Sequence, residues 1–166
     1  KESQRLEALR FKTQHDELTG LANRQYFMNQ FDALLTSQEQ QGRHLLIMLR
    51  ITDLTLVNQQ LGHQATDALI KELCRELQLV VDDYASAYSE SYLARLNGSD
   101  FAVLLANMEA VDDCLQTLKQ HIEHFTNHHP EVDQLHLPVA ALQFDQQNAR
   151  GEVLQQIDGL LAEAEL

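Results

Sequence analysis

The chain has no tryptophan, two prolines, two cysteines and six glycines in 166 residues. Two cysteines without a shared motif exclude a disulfide framework and a zinc ribbon. Cys74 and Cys114 both fall in helical patterns and are expected to be reduced core thiols. So few prolines and glycines exclude a collagen-like chain or a Pro/Gly-rich linker. Cations are also scarce: 12 Lys and Arg stand against 25 Asp and Glu, a net charge of −13. A protein that grips phosphate backbones needs a cationic face, so nucleic acid is not an expected partner. No apolar run approaches the ~20 residues that cross a bilayer, and no direct membrane contact is expected of this stretch. A signal peptide is also not expected, because residues 2–15 are charged and helical in pattern.

What is present is a chain rich enough in apolar residues, at 44%, for one globular domain. Residues 2–15 read as a helix with Leu6, Leu9 and Thr13 on one stripe, the end of a linker or signalling helix or a docking helix. Residues 16–23 form a turn around Thr19-Gly20, held by Asp16, Asn23 and Arg24. A helix follows, carrying Tyr26, Phe27, Phe31, Leu34 and Leu35. Residues 45–51 are nearly all apolar and predict a buried central strand. Leu54, Val57 and Leu61 mark a short helix stopped at Gly62-His63, with His63 in a structural hydrogen-bonding role. Thr66 or Asp67 is expected to cap the next helix, whose stripe is Leu69, Ile70, Leu73, Leu77 and Val80.

Residues 92–96 and 101–105 read as two strands separated by a loop holding Asn97-Gly98, a strong local signal for a tight β-hairpin. Arg95 is expected to anchor this hairpin to a neighbouring carboxylate. Val111, Leu115, Leu118, Ile122 and Phe125 mark a long helix, residues 136–144 a strand, and Val153, Ile157, Leu160 and Leu161 a last helix. The order reads αααβααββαβα, an α+β fold with a small, mostly antiparallel sheet flanked by helices. His121, His124, His128 and His129 cluster near a helix end. They have no ligand partner in a recognised spacing, so solvated histidines are expected there and no metal.

Two segments carry a family resemblance, and the hairpin completes it. Asp16-Glu17-Leu18-Thr19-Gly20-Leu21-Ala22-Asn23-Arg24, with Phe27, resembles the D-x-L-T-G-L-x-N-R-x-x-F pattern of GGDEF domains. Residues 57–67 resemble that family's I-N-D-x-x-G-H-x-x-G-D segment. Arg95-Leu96-Asn97-Gly98-Ser99-Asp100-Phe101 falls where R-x-G-G-D-E-F would stand. The resemblance implies a palm-like fold related to nucleotide cyclases, spanning residues 16–166 after a helical linker at 1–15. It also implies descent from diguanylate cyclases, which join two GTP molecules into cyclic di-GMP with Mg²⁺.

The same correspondence places losses at the site. The family's two metal carboxylates fall at Arg50 and Ser99, a cation and a neutral hydroxyl. Asp100 matches the fourth signature position and cannot replace both. The first signature glycine is Asn97, which is expected to keep the turn while crowding an approaching phosphate. The phosphate-facing lysine falls at Thr55. The inhibitory R-x-x-D site falls at Tyr88 and Ser91, which cannot make its bidentate contacts. Two guanine contacts do match, Asn58 and Asp67. Their alternative roles are fastening a turn and capping a helix.

The resemblance therefore implies a catalytically inactive GGDEF domain with no metal and no cofactor. It would be a regulatory or interaction module most similar to the LapD-type GGDEF-EAL receptors. Its expected partners are the signalling helix and EAL domain of the same chain, with homodimerisation through the parent protein as a candidate. The missing initiator Met suggests a piece of a longer protein, read as a cytoplasmic domain of a parent anchored in the bacterial inner membrane. Two alternatives stay open: a GTP-binding domain controlling an adjoining EAL phosphodiesterase, and a CsrD-like regulator of RNA turnover.

Overall fold

The computed structural model describes residues 1–37, 42–85, 90–133 and 135–166. Ten elements follow in order: α1 (Glu2–Gln14), α2 (Arg24–Thr36), β1 (His44–Arg50), α3 (Leu54–Leu61), α4 (His63–Tyr84), β2 (Ser91–Arg95), β3 (Asp100–Leu105), α5 (Val111–Asn127), β4 (Val139–Phe144) and α6 (Arg150–Glu165). The strands form one antiparallel sheet in the order β2-β3-β1-β4. This is the α+β architecture expected, with two described helices ahead of β1 rather than three. The two are the helices read at 2–15 and after residue 23, and between them residues 16–23 are the turn expected: Gly20 N–H donates to Asp16 O at 2.8 Å, and Asp16 N–H to Leu21 O at 2.7 Å.

The central strand shows why its sequence lacks alternation. Leu45, Ile47 and Leu49 point into one core with α3, α4 and α5. Leu46 and Met48 point into a second core with Phe27, Phe31, Val153, Ile157 and Leu161 of α2 and α6. Successive strand side chains face opposite ways, so a sheet covered on both faces demands apolar residues at every position. Cys74 and Cys114 are free and buried, and burial pushes their thiols up to about 12 and about 11.

Several boundaries differ from the sequence reading for identifiable reasons. β4 begins at Val139 rather than at 136. Pro138 has no N–H to give, yet its carbonyl accepts from Arg50 N–H at 3.2 Å, and His136 O accepts from Thr52 N–H at 3.1 Å. The chain thus follows β1 past the strand end with one-sided bonding. α4 is not capped by Thr66 or Asp67. Gly62, at φ +82°, alone separates it from α3, and the Thr66 hydroxyl donates back to Gly62 O at 2.8 Å from inside the first turn.

The hairpin expected at Asn97-Gly98 forms, and its turn is made without left-handed backbone. Among the described residues only Gly20, Asp53, Gly62 and Asn107 have positive φ. Leu96 N–H bonds Asp100 O at 2.8 Å, so the loop holds three residues, 97–99. Asn97 closes it with its side chain: Oδ1 accepts from Ser99 N–H at 3.0 Å and Asp100 N–H at 2.9 Å.

α1 contributes nothing to either core. Leu6, Leu9 and Phe11 are all exposed. Phe11 stacks on His15 at 4.0 Å, and His15 lies 5.8 Å from Tyr26, joining the helix to α2 through rings. No helix among the described residues is long and apolar enough to cross a membrane.

Candidate functional site

The end of β1 and the tip of the β2–β3 hairpin are fastened together by the backbone. Arg50 lies opposite Asp100 in the β1–β3 register, and Ile51 N–H donates to Ser99 O at 2.9 Å. The two positions that the resemblance assigns to metal ligands, Arg50 and Ser99, are thus brought side by side. So are Asn97, Gly98 and Asp100. Phe101 points the other way and is fully buried in the first core.

At this junction Arg50 presents a fork to Asp100. Nε donates to Oδ1 at 2.6 Å and Nη2 to Oδ2 at 3.1 Å, the bidentate geometry that a planar guanidinium favours. Asp100 also accepts from Asn97 Nδ2 at 2.9 Å and from the Ser99 hydroxyl at 3.5 Å. Burial alone would raise the Asp100 carboxyl. The bonds from Arg50, Asn97 and Ser99 outweigh it and hold the group below the usual carboxylate range. For Arg50, the bonds to Asp100 and Glu165 raise the guanidinium further.

This donor set does not suit Mg²⁺. Such an ion takes carboxylate and carbonyl oxygens and water, and needs negative charge to offset its own. Both Asp100 oxygens already accept from a permanent cation. A divalent cation beside Arg50 would be repelled, by about 8 kcal/mol at ~4 Å and an effective dielectric of ~20. Beside the junction opens a cleft of about 380 Å³ lined by Arg24, Met28, Met48, Arg50, Leu96, Asp100, Leu154 and Asp158.

The other singled-out residues lie in different places. Asn58 is on α3, and its backbone carbonyl accepts from Gly62 N–H at 2.8 Å. Its side chain makes no hydrogen bond among the described residues. Asp67, exposed on α4, makes none either, so neither the helix-capping role nor a side-chain fastening of the turn is realised. Thr55 is exposed on α3. Ser91 opens β2, while Tyr88 lies outside the described residues. The histidine cluster divides: His121 Nδ1 meets Glu76 at 2.6 Å, and His129 meets Glu72 at 2.7 Å and Glu131 at 2.9 Å. His124 and His128 lie ring to ring at 4.1 Å.

The opening turn is built from its own motif. Asp16 Oδ2 accepts from Thr19 N–H at 3.0 Å, from the Thr19 hydroxyl at 2.7 Å and from Arg95 Nη1 at 3.2 Å. Arg95 also donates to Gly98 O at 2.9 Å, so the turn and the hairpin share one guanidinium. Asn23 caps α2 by accepting from Tyr26 N–H at 3.0 Å, and its amide donates to Thr13 O at 2.7 Å. Sequence reasoning missed Glu165, whose Oε1 accepts from Arg50 Nη1 at 2.6 Å. The available signal was spacing: Val153, Ile157 and Leu161 are buried four apart, and Glu165 is the next position on that stripe.

Comparison with known proteins agrees with the fold. The MbaA biofilm architecture maintenance protein of Vibrio cholerae is 31% identical over 121 residues, 72% of this chain and 15% of that protein. The coiled coil and GGDEF domain of DgcB from Caulobacter crescentus, solved with c-di-GMP, superposes with a TM-score of 0.81. It is 22% identical, over 98% of this chain and 86% of that one. The S helix-GGDEF-EAL portion of Vibrio cholerae LapD, bound to c-di-GMP, has a TM-score of 0.73. It is 20% identical, over 99% of this chain and 37% of that one. At these identities the two structures show a shared fold. This chain therefore spans a small part of its curated relative. The family described as diguanylate cyclase, GGDEF domain, matches residues 13–166, and the chain belongs to that family.

Proposed function

We propose that this GGDEF domain is catalytically inactive and serves as a regulatory and interaction module in a cyclic di-GMP receptor of the LapD kind. In this reading a signalling helix precedes it, an EAL domain follows, and the parent protein is held in the bacterial inner membrane. The observation that carries the reading is the Arg50 fork on Asp100: a cation sits where the family's chemistry needs an anion for Mg²⁺. Without that ion the site lacks the divalent charge that would offset what develops on a triphosphate under attack. Regulation is then conformational: ligand on the neighbouring domain shifts the balance between docked and released states.

The test is product formation. Residues 1–166, incubated with GTP and Mg²⁺, are expected to yield no cyclic di-GMP, and the natural chain extended through its next domain is expected to bind cyclic di-GMP. Product from the unaltered domain defeats the proposal. Restoring both carboxylates with Arg50→Asp and Ser99→Asp locates the loss: activity regained places it at the metal site, and activity still absent places it also at Asn97 and Thr55.

A second reading is favoured by one observation. Asn58 and Asp67 keep side chains without partners among the described residues, and an amide with a carboxylate can read a guanine edge. A GTP-binding domain that controls an adjoining phosphodiesterase would use them. Calorimetry with GTP separates the readings: heat that disappears in Asp67→Ala favours the second, and no heat at millimolar nucleotide removes it.

A further inference from the structure

Arg50 makes one contact that the hairpin does not account for. While Nε and Nη2 engage Asp100, Nη1 reaches Glu165 across 115 residues of sequence. One guanidinium therefore joins β1, β3 and the last turn of α6. The stripe of α6 that lies on the sheet runs Val153, Ile157, Leu161 and then Glu165. Three turns are fixed by apolar burial, and the fourth ends in a carboxylate held by Arg50. The side chains are only 32%, 17% and 30% exposed, for Arg50, Asp100 and Glu165 respectively. Two carboxylates drawn to one point with that little water around them would repel each other unless a cation stood between.

We propose that Arg50 is a built-in cation that bridges Asp100 and Glu165 and so locks the C-terminal turn of α6 to the end of β1 without a metal ion. A bound divalent ion would release its grip when it leaves. The guanidinium is covalently held and stays charged at every accessible pH. Helix α6 is thus set against the sheet whatever the nucleotide or metal concentration. This goes beyond the receptor reading above, because it stands on the three contacts whether or not the domain makes product.

Hydrogen exchange on residues 1–166 and three variants tests it. Glu165→Gln removes the charge that faces Arg50 and keeps the side chain's shape. Amides 162–165 are expected to exchange roughly 5- to 30-fold faster, with hairpin amides 96–101 unchanged. Arg50→Met is expected to speed exchange in both segments. Unchanged protection of 162–165 in both variants overturns the lock.

The cation role is read separately by melting with Mn²⁺. Arg50→Asp replaces the cation by a third carboxylate between Asp100 and Glu165. Mn²⁺ is expected to raise its melting temperature by about 3 °C or more. The rise should be absent from the unaltered chain and abolished when Glu165→Gln is added. A rise of equal size in the unaltered chain, or none in a folded Arg50→Asp variant, overturns the cation role. If that variant does not fold, the exchange measurements alone decide.

Discussion

The opening turn and the hairpin tip use the same pair of residue types for different ends. In the turn, Asp16 is satisfied by Thr19, three residues away, and Arg95 arrives from the hairpin. The family motif is intact there, and its Asp16, Thr19 and Asn23 side chains are hydrogen-bonded, whereas Arg24, expected to help hold the turn, makes no side-chain bond among the described residues. At the hairpin tip, Asp100 is satisfied by Arg50 across the sheet and by Asn97 and Ser99 beside it. Here Arg50, Asn97 and Ser99 differ from the pattern that the resemblance supplies, and each contributes a donor to Asp100. The lesson is chemical. A half-buried carboxylate can be settled by an internal cation from a neighbouring strand while the fold around it is kept.

The largest effect is expected where an intact motif is broken. Asp16→Ala leaves Arg95, whose side chain is 12% exposed and whose Nε already has no partner, without a counter-charge. It also strips Thr19 of two bonds. A loss of about 2–3 kcal/mol is expected, a fall in melting temperature of roughly 5–10 °C, measured by thermal and urea unfolding. A loss no greater than for Asp100→Asn would break the contrast drawn here. Asp100→Asn keeps the shape and cancels the charge facing Arg50, with an expected cost of about 1–2 kcal/mol in the same assay.

A smaller effect sharpens the hairpin half. Asn97→Ala removes the acceptor that closes the three-residue loop and should cost about 1 kcal/mol. Asn97→Gly, which restores the family's residue, also lacks the acceptor, so it should not recover that stability. Full recovery with glycine would mean that backbone freedom, and not the side-chain bond, shapes this turn.

Much of this was legible in the sequence because the informative features are local or periodic. The continuous apolar run at 45–51, the spacing of Phe27, Phe31 and Leu34, and the turn at Thr19-Gly20 each have a short-range cause. Contacts of long range were hidden. Nothing near Arg50 in sequence announces Glu165, and Arg95 could be given a carboxylate partner without naming Asp16. The hairpin at Asn97-Gly98 was legible, but its loop, read between residues 96 and 101, is one residue shorter because Asp100 already pairs with Leu96. His129 was read as solvated, yet it bridges α4 and the segment after α5.

That bridge gives the smallest prediction and is set apart from the two regions by pH. Asp16 and Asp100 are both held below the usual carboxylate range, so their contribution is full above about pH 4 and is lost as pH falls through their folded values. His129 has the reverse sign. Both ring nitrogens lie within hydrogen-bond distance of carboxylates, Nε2 of Glu72 and Nδ1 of Glu131, an arrangement that needs a proton on each nitrogen. Burial alone would lower its affinity for the second proton. The bonds to Glu131 and Glu72 outweigh burial and raise it above the ordinary 6.5. The bridge is therefore fully present below pH 6.5 and is lost as pH rises through the folded value. Between pH 5.5 and 8.5 the unaltered chain should lose a small part of its urea resistance, and His129→Asn should remove that slope while leaving the acid limb in place. An unchanged slope in His129→Asn would break the assignment of that slope to the His129 bridge.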